Sequence, residues 1–260
     1  MIRLPRSLIA RQSCRFPPAH WVSSAAAEKI AHEEKKRSNL SRCDVIRLPK
    51  YLTEEDISTI YGVQQRYRSA HGEPHPKRAF WLTTYLSTAS VDAPDGMFRH
   101  VAPELFEKIC ALRHSVDPRC GSSPAELEDL RVRCIELHAY ARGGGGLDPK
   151  HYDSGSVVTV DLMLDDDFEG GLFQTHCADT GTMTSHQFER GDALVFPSGK
   201  YHSVQEVTGG GRKVLILEFW TGVERHCNHR CGEKEGHCGH SPSSLEHLWY
   251  LPPMENTYYD

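Results

Sequence analysis

Residues 151–175 read HYDSGSVVTVDLMLDDDFEGGLFQT, and residues 188–220 read FERGDALVFPSGKYHSVQEVTGGGRKVLILEFW. Side chains two apart on a strand point to the same face, so His151 and Asp153 present an imidazole and a carboxylate to one point. His202 comes much later in the chain, beside a hydrophobic strand pattern. An antiparallel sheet that folds back on itself would bring the two segments together. Two histidines and one carboxylate on one side of a metal form a facial triad and leave the other side open.

A lone H-x-D occurs by chance in many chains, but here an ordered set of landmarks surrounds it. Gly170-Gly171, Gly191-Asp192, Phe196-Pro197, His202-Ser203-Val204 and Val207-Thr208 follow in sequence, and Arg212 stands ten positions after His202. The set resembles the prolyl 4-hydroxylase-like branch of the Fe(II)/2-oxoglutarate-dependent dioxygenases over roughly residues 45–222. The resemblance implies a mostly β fold with flanking helices, a double-stranded β-helix (jelly-roll, cupin-like). It implies that His151, Asp153 and His202 ligate Fe(2+), that Arg212 pairs with the far carboxylate of 2-oxoglutarate, and that Tyr140 hydrogen-bonds the same co-substrate. O2 would then be consumed as 2-oxoglutarate becomes succinate and a C–H bond is hydroxylated, with L-ascorbate as an accessory. Lys213 is the second choice for the co-substrate anchor.

The first expectation for substrate is a peptidyl proline. Two alternatives stand beside it: a small molecule or another side chain as the hydroxylated group, and a cupin-like metal-binding or sensor module without turnover. Asp153 and Arg212 speak against the last, because a structural barrel needs neither, and halogenases usually lack the carboxylate of H-x-D. The chain departs from the family at one place. Glu218 stands where a Trp is usual, and Trp220 follows two residues later. By alternation Arg212, Val214, Ile216, Glu218 and Trp220 share a face. An interior carboxylate there needs a partner, either Arg212, another basic side chain or a cationic substrate group.

At 260 residues the chain suffices for one sizeable catalytic domain. Three segments are expected: a basic extension and linker over 1–44, the dioxygenase domain over 45–222, and a Cys/His-rich tail over 223–260. A net charge of -5 supplies no field for nucleic acid, and no apolar run is long enough to span a bilayer. A protein, peptide or small-molecule substrate is the expected partner. Arg3, Arg6, Arg11 and Arg15 precede the first acidic residue, Glu28, which reads either as an organellar transit peptide or as a disordered basic tail. Compartment stays open between organellar and cytoplasmic.

Along the domain, Val45–Leu48 reads as a strand, and Thr53 with Asp56 as a capping box ahead of a helix carrying Ile57, Ile60, Tyr61 and Gln64. Phe80–Leu86 and Arg131–Tyr140 read as strands. Pro103 opens a helix with Leu105, Phe106, Ile109, Cys110 and Leu112 on its apolar stripe. The Gly143–Gly146 run predicts a mobile or unusual turn. His71 and His75 read as solvent-facing, and Asp165, Asp166, Asp167 and Glu169 as a solvated hairpin rather than a calcium loop. At the C-terminus, Cys227, Cys231 and Cys238 lie among His226, His229, His237 and His240. Zinc as Cys3His, a disulfide and free thiols are the three readings. Cys14, Cys43, Cys110, Cys120, Cys134 and Cys177 are scattered and read as structural.

Overall fold

The computed structural model describes residues 39–73, 76–177 and 179–238, with 76–78 as backbone only. The transit-peptide reading, most of the linker, His75, Cys14 and His240 lie outside the described residues.

Eleven strands, four α-helices and two short 3-10 helices (Ala111–Ser115 and Pro118–Cys120) are the main elements of the described residues. The strands and α-helices are β1 (Ile46–Leu48), α1 (Glu54–His71), β2 (Pro76–Arg78), β3 (Trp81–Tyr85), α2 (Met97–Val101), α3 (Pro103–Cys110), α4 (Pro124–Glu128), β4 (Arg131–Ala141), β5 (Val158–Met163), β6 (Phe168–Gly170), β7 (Phe173–His176), β8 (Met183–His186), β9 (Ala193–Pro197), β10 (His202–Val204) and β11 (Val207–Trp220). All ladders are antiparallel. The major sheet runs β1-β9-β5-β11-β4-β3-β2, with β6 on the first residues of β11, and the minor sheet runs β10-β7-β8. Phe173 of β7 packs against Leu194 and Phe196 of β9, so the sheets face each other as a jelly roll whose sheet does not close.

Alternation sorts the major sheet into two chemically different faces. Val158, Val160, Leu162, Ile135, Leu137, Leu215, Leu217 and Phe219 pack with the helices in one apolar core. The intervening residues, Thr159, Asp161, Glu136, His138, Tyr140, Arg212 and Glu218, are buried polar groups on the opposite face. Each fully buried aliphatic or aromatic side chain contributes about 1.5–3 kcal/mol. The helix-covered face therefore carries most of the apolar core, and the inner face mixes polar groups with smaller apolar clusters around Val214 and Phe173.

The helices follow their sequence signals. The Thr53–Asp56 capping box closes reciprocally, at 3.1 and 2.8 Å, and satisfies the amides of Asp56 and Thr53 at the start of α1. Its buried residues are Ile57, Ile60, Val63 and Tyr67, and the expected Tyr61 and Gln64 are half-buried at the edge of that stripe, with Tyr61 packed against the core. Pro103 is at the first turn of α3, and Leu105, Phe106, Ile109 and Cys110 are buried.

Of the two readings for the glycine run, the unusual turn is the one found. Gly143 donates its amide to the Val207 carbonyl at 2.8 Å, and Gly146 accepts from the Val204 amide at 2.8 Å. A Cβ on Gly144 would lie 2.4 Å from the Phe80 carbonyl oxygen, and one on Gly145 2.8 Å from that of Gln205. The run is glycine because two backbones pass too close for side chains, which pins the turn rather than freeing it. Among the described residues, no helix is long and apolar enough to cross a membrane.

Candidate active site

His151 forms an isolated antiparallel bridge with His202, which extends the minor sheet by one residue pair and sets the two imidazoles side by side. Their rings stand 5.0 Å apart and nearly perpendicular. Asp153 lies between them. Its Oδ1 is 3.4 Å from His151 Nε2, and its Oδ2 is 3.7 Å from His202 Nε2. A ligand atom from each residue falls within 4.8 Å of the others. First-row metal bonds of about 2.1 Å at right angles would set such atoms about 3.0 Å apart, so the trio needs only a small contraction to hold an ion.

Neighbouring groups prepare two of the three. His202 Nδ1 is 3.0 Å from the Lys200 carbonyl oxygen, which can only accept, so Nδ1 carries the proton and Nε2 keeps its lone pair. Burial holds the His202 imidazole below its ordinary range and favours that neutral form. The Thr159 hydroxyl donates to Asp153 Oδ2 at 2.7 Å and itself meets Ser198 at 2.8 Å. Burial alone would raise the Asp153 carboxyl, yet His202, the hydrogen bond from His151 and the Arg230 charge hold it well below the carboxylate range. Asp153 is buried, whereas the His151 side chain is half-exposed, so the trio opens to solvent on the His151 side.

Arg212 is fully buried on the same inner face, and among the described residues none of its three guanidinium nitrogens has a hydrogen-bond partner. The guanidinium carbon sits 5.7 Å from the Tyr140 ring centroid and 5.8 Å from that of Phe188. Arg212 pairs in register with Tyr140, and a Cβ on Gly171 would come within 2.9 Å of the Arg212 Cδ, so the Gly170-Gly171 hairpin leaves room for this side chain. The Tyr140 hydroxyl is 3.1 Å from His138 Nδ1, and His138 Nε2 is 2.6 Å from Glu136 Oε2. Lys213, the alternative anchor, belongs to the other parity and binds Asp165 at 2.9 Å.

Glu218 is buried, and its partners are Arg230 and Ser156, not Arg212. Ser156 donates to it at 2.6 Å, Arg230 forms a close ion pair, and Arg133 lies 3.5 Å away. Arg133 is the residue left without an opposite number where the β11–β4 register shifts, and such a bulge re-aims a side chain. Burial pushes the Glu218 carboxyl up, as does Asp153, while Arg230 opposes them. Arg230 also reaches Asp153 Oδ1 at 3.2 Å and lies 3.6 Å from Glu136. It comes from the segment after Trp220, and nothing in its local sequence marks it. Sequence reasoning also passed over Asp161, Thr159 and the Glu136–His138 pair, whose only signal is a polar residue at every second place of a strand otherwise apolar.

Asp161 is buried, with no partner for its Oδ1 among the described residues. Burial first, then Asp153, push its carboxyl up to about 8, while Arg212 pulls it down. A raised carboxyl keeps in the folded state a proton that the unfolded chain has released, so stability falls as pH rises from about 4 to about 8. In metal-free protein, Asp161→Asn is expected to remove that slope. Its melting temperature should gain on wild type progressively across that window. A difference independent of pH, measured by thermal unfolding, rejects the assignment.

No family model matches the sequence, and no curated protein matches it. Among solved structures, several are similar to parts of it. An oxidoreductase of the 2OG-Fe(II) oxygenase family from Burkholderia pseudomallei is 14% identical, covering 78% of this chain and 94% of its own, with a TM-score of 0.49. A Pseudomonas putida prolyl-4-hydroxylase is 18% identical, covering 72% and 98%, at 0.43. The alpha ketoglutarate dependent epimerase SnoN from nogalamycin biosynthesis is 16% identical, covering 73% and 83%, at 0.49. What its site can do follows from its own side chains.

Proposed function

We propose that the protein is an Fe(II)- and 2-oxoglutarate-dependent dioxygenase that hydroxylates a C–H bond, with a peptidyl proline as first substrate. The observation that carries the reading is the Arg212 guanidinium, fully buried and with no hydrogen-bond partner among the described residues, on the inner face where Asp161 interacts with both Arg212 and Asp153 of the trio. A buried cation without a partner is costly, and a carboxylate ligand offers it two parallel hydrogen bonds. A small diacid that pairs with Arg212 at one end and reaches the trio with the other would satisfy both.

His151 Nε2, His202 Nε2 and an Asp153 oxygen would hold the iron, and Arg212 with Tyr140 would hold the far carboxylate of 2-oxoglutarate. When bound, the pair supplies the oxidising chemistry: O2 is consumed, 2-oxoglutarate leaves as succinate and carbon dioxide, and a C–H bond becomes C–OH. The chain's own contribution is positional. Lys200 and Thr159 orient two of the ligands, the paired Glu218 and Arg230 stand beside Asp153, and the half-exposed His151 side admits substrate. The prolyl choice rests on the motifs around His202.

The test is succinate release by purified protein supplied with iron and 2-oxoglutarate, against panels of proline-containing peptides and of small metabolites. Iron-dependent succinate stimulated by a peptide, with a mass gain of one oxygen on proline, is the expected result. Stimulation by metabolites alone replaces the substrate class. No iron-dependent succinate under any condition rejects the oxygenase reading.

A further inference from the structure

The Cys/His motif of residues 227–238 is not used by the chemistry above, and in three dimensions it converges. Cys227, His229, Cys231 and Cys238 each offer one ligand atom, and the four atoms lie within 4.8 Å of one another. Cys238 Sγ is 3.4 Å from His229 Nε2. In a tetrahedral zinc site with sulfur bonds of about 2.3 Å and nitrogen bonds of about 2.0 Å, ligand atoms stand about 3.5–3.8 Å apart. His229 Nδ1 lies 3.3 Å from Asn228 Oδ1, which leaves Nε2 turned to the thiols. All three cysteines are free thiols. A disulfide would use two of them and leave the third and the imidazole without a task.

The segment around them lacks other means of holding its shape. Residues 221–238 contain no helix or strand, and Cys231 is the one buried apolar residue in that stretch. Its backbone is tied to the domain at a few points instead. Arg225 donates to the carbonyls of Glu233 and Gly236, Arg133 donates to that of Cys231 at 2.8 Å, and the Ala89 amide donates to that of His226 at 3.0 Å. A loop of this length without a core of its own is the kind of segment that a metal staples. Arg230 sits between two of the converging residues, and its guanidinium spans Asp153, Glu136 and Glu218.

We propose that Cys227, His229, Cys231 and Cys238 bind one zinc ion, and that this ion holds Arg230 in place against Asp153. The zinc site stands on its own residues; the link to Asp153 rests on the oxygenase reading above. Arg230 is a positioning residue in this scheme. It restrains the carboxylate that the proposed iron uses, and the zinc ion fixes the backbone on either side of it.

Metal analysis of full-length protein purified without chelator should find one equivalent of zinc per chain, released by a thiol-modifying reagent. Exchange with Co(II) should produce thiolate-to-cobalt charge-transfer bands and the d–d bands of a tetrahedral ion. Neither zinc nor those bands, or a disulfide between two of the three cysteines found by mass spectrometry, overturns the site. Cys238→Ser should lose the zinc and weaken iron binding about tenfold or more, the range typical of groups that orient metal ligands. Arg230→Gln should keep the zinc and weaken iron binding alike, and Arg230→Lys should recover part of it. Where Cys238→Ser fails to fold, the Arg230 pair carries the comparison. Wild-type iron affinity in zinc-free Cys238→Ser, or in Arg230→Gln, overturns the coupling. Cobalt bands in a protein without 2-oxoglutarate turnover sustain the zinc site and overturn only the oxygenase reading.

Discussion

Asp153→Ala and His202→Ala each bring 2-oxoglutarate decarboxylation down to background while the protein stays folded. Both side chains lie apart from the apolar core that packs the major sheet against the helices, so that core survives the change. Each substitution removes one of three donors that lie within 4.8 Å of one another, and two remaining donors bind a divalent ion weakly. His202→Ala also leaves the Lys200 carbonyl without its imidazole donor, and Asp153→Ala leaves the Thr159 hydroxyl and Arg230 without their carboxylate. The measurement is iron stoichiometry together with succinate formation. Either variant retaining wild-type turnover with a full equivalent of iron shows that the trio is not the metal site.

Arg212→Ala raises the 2-oxoglutarate requirement by about a hundredfold and leaves iron binding nearly intact. Removing one partner of a buried charged hydrogen bond typically costs a few kcal/mol, and about 1.4 kcal/mol is tenfold in affinity. The same substitution has a second, opposite signature. Without ligand the guanidinium is buried with no hydrogen-bond partner among the described residues, and burial lowers its hold on its proton. Loss of an unpaired buried charge relieves a cost, so ligand-free Arg212→Met, which keeps the volume, melts no lower than wild type. An unchanged KM for 2-oxoglutarate moves the anchor elsewhere. Lys213 is then a poor successor, because it is ion-paired with Asp165 on the other parity.

Much of this site is legible in one dimension. His151 and Asp153 are two apart, Arg212 is ten after His202, and the parity of β11 carries Arg212 and Glu218 to the same inner face. That Glu218 must be paired also follows from sequence, because a carboxylate at an interior place of an apolar strand cannot stand alone. The identity of its partner does not follow. Arg212, only six residues away on the same strand, is the local candidate, yet Arg230 closes the pair from a loop. Gly143–Gly146 was open in the same way. Four glycines in a row are compatible with freedom or with crowding, and only the carbonyls of Phe80 and Gln205 decide for crowding.

What the amino-acid order determined by itself is everything that depends on periods and neighbours: strand parity, the capping box at Thr53, the helix opened by Pro103, and the residue types able to bind a metal. These are local because a period of two or of 3.6 is enforced by the backbone of each segment. What only the tertiary structure decided is which distant groups meet. The bulge that leaves Arg133 unmatched, the burial of Asp161 without a partner, and the convergence of Cys227, His229, Cys231 and Cys238 beside Arg230 are such cases. Each depends on sheet register and on a loop returning to β4, and these are set by packing between segments far apart in the chain, about which spacing along one segment carries no information.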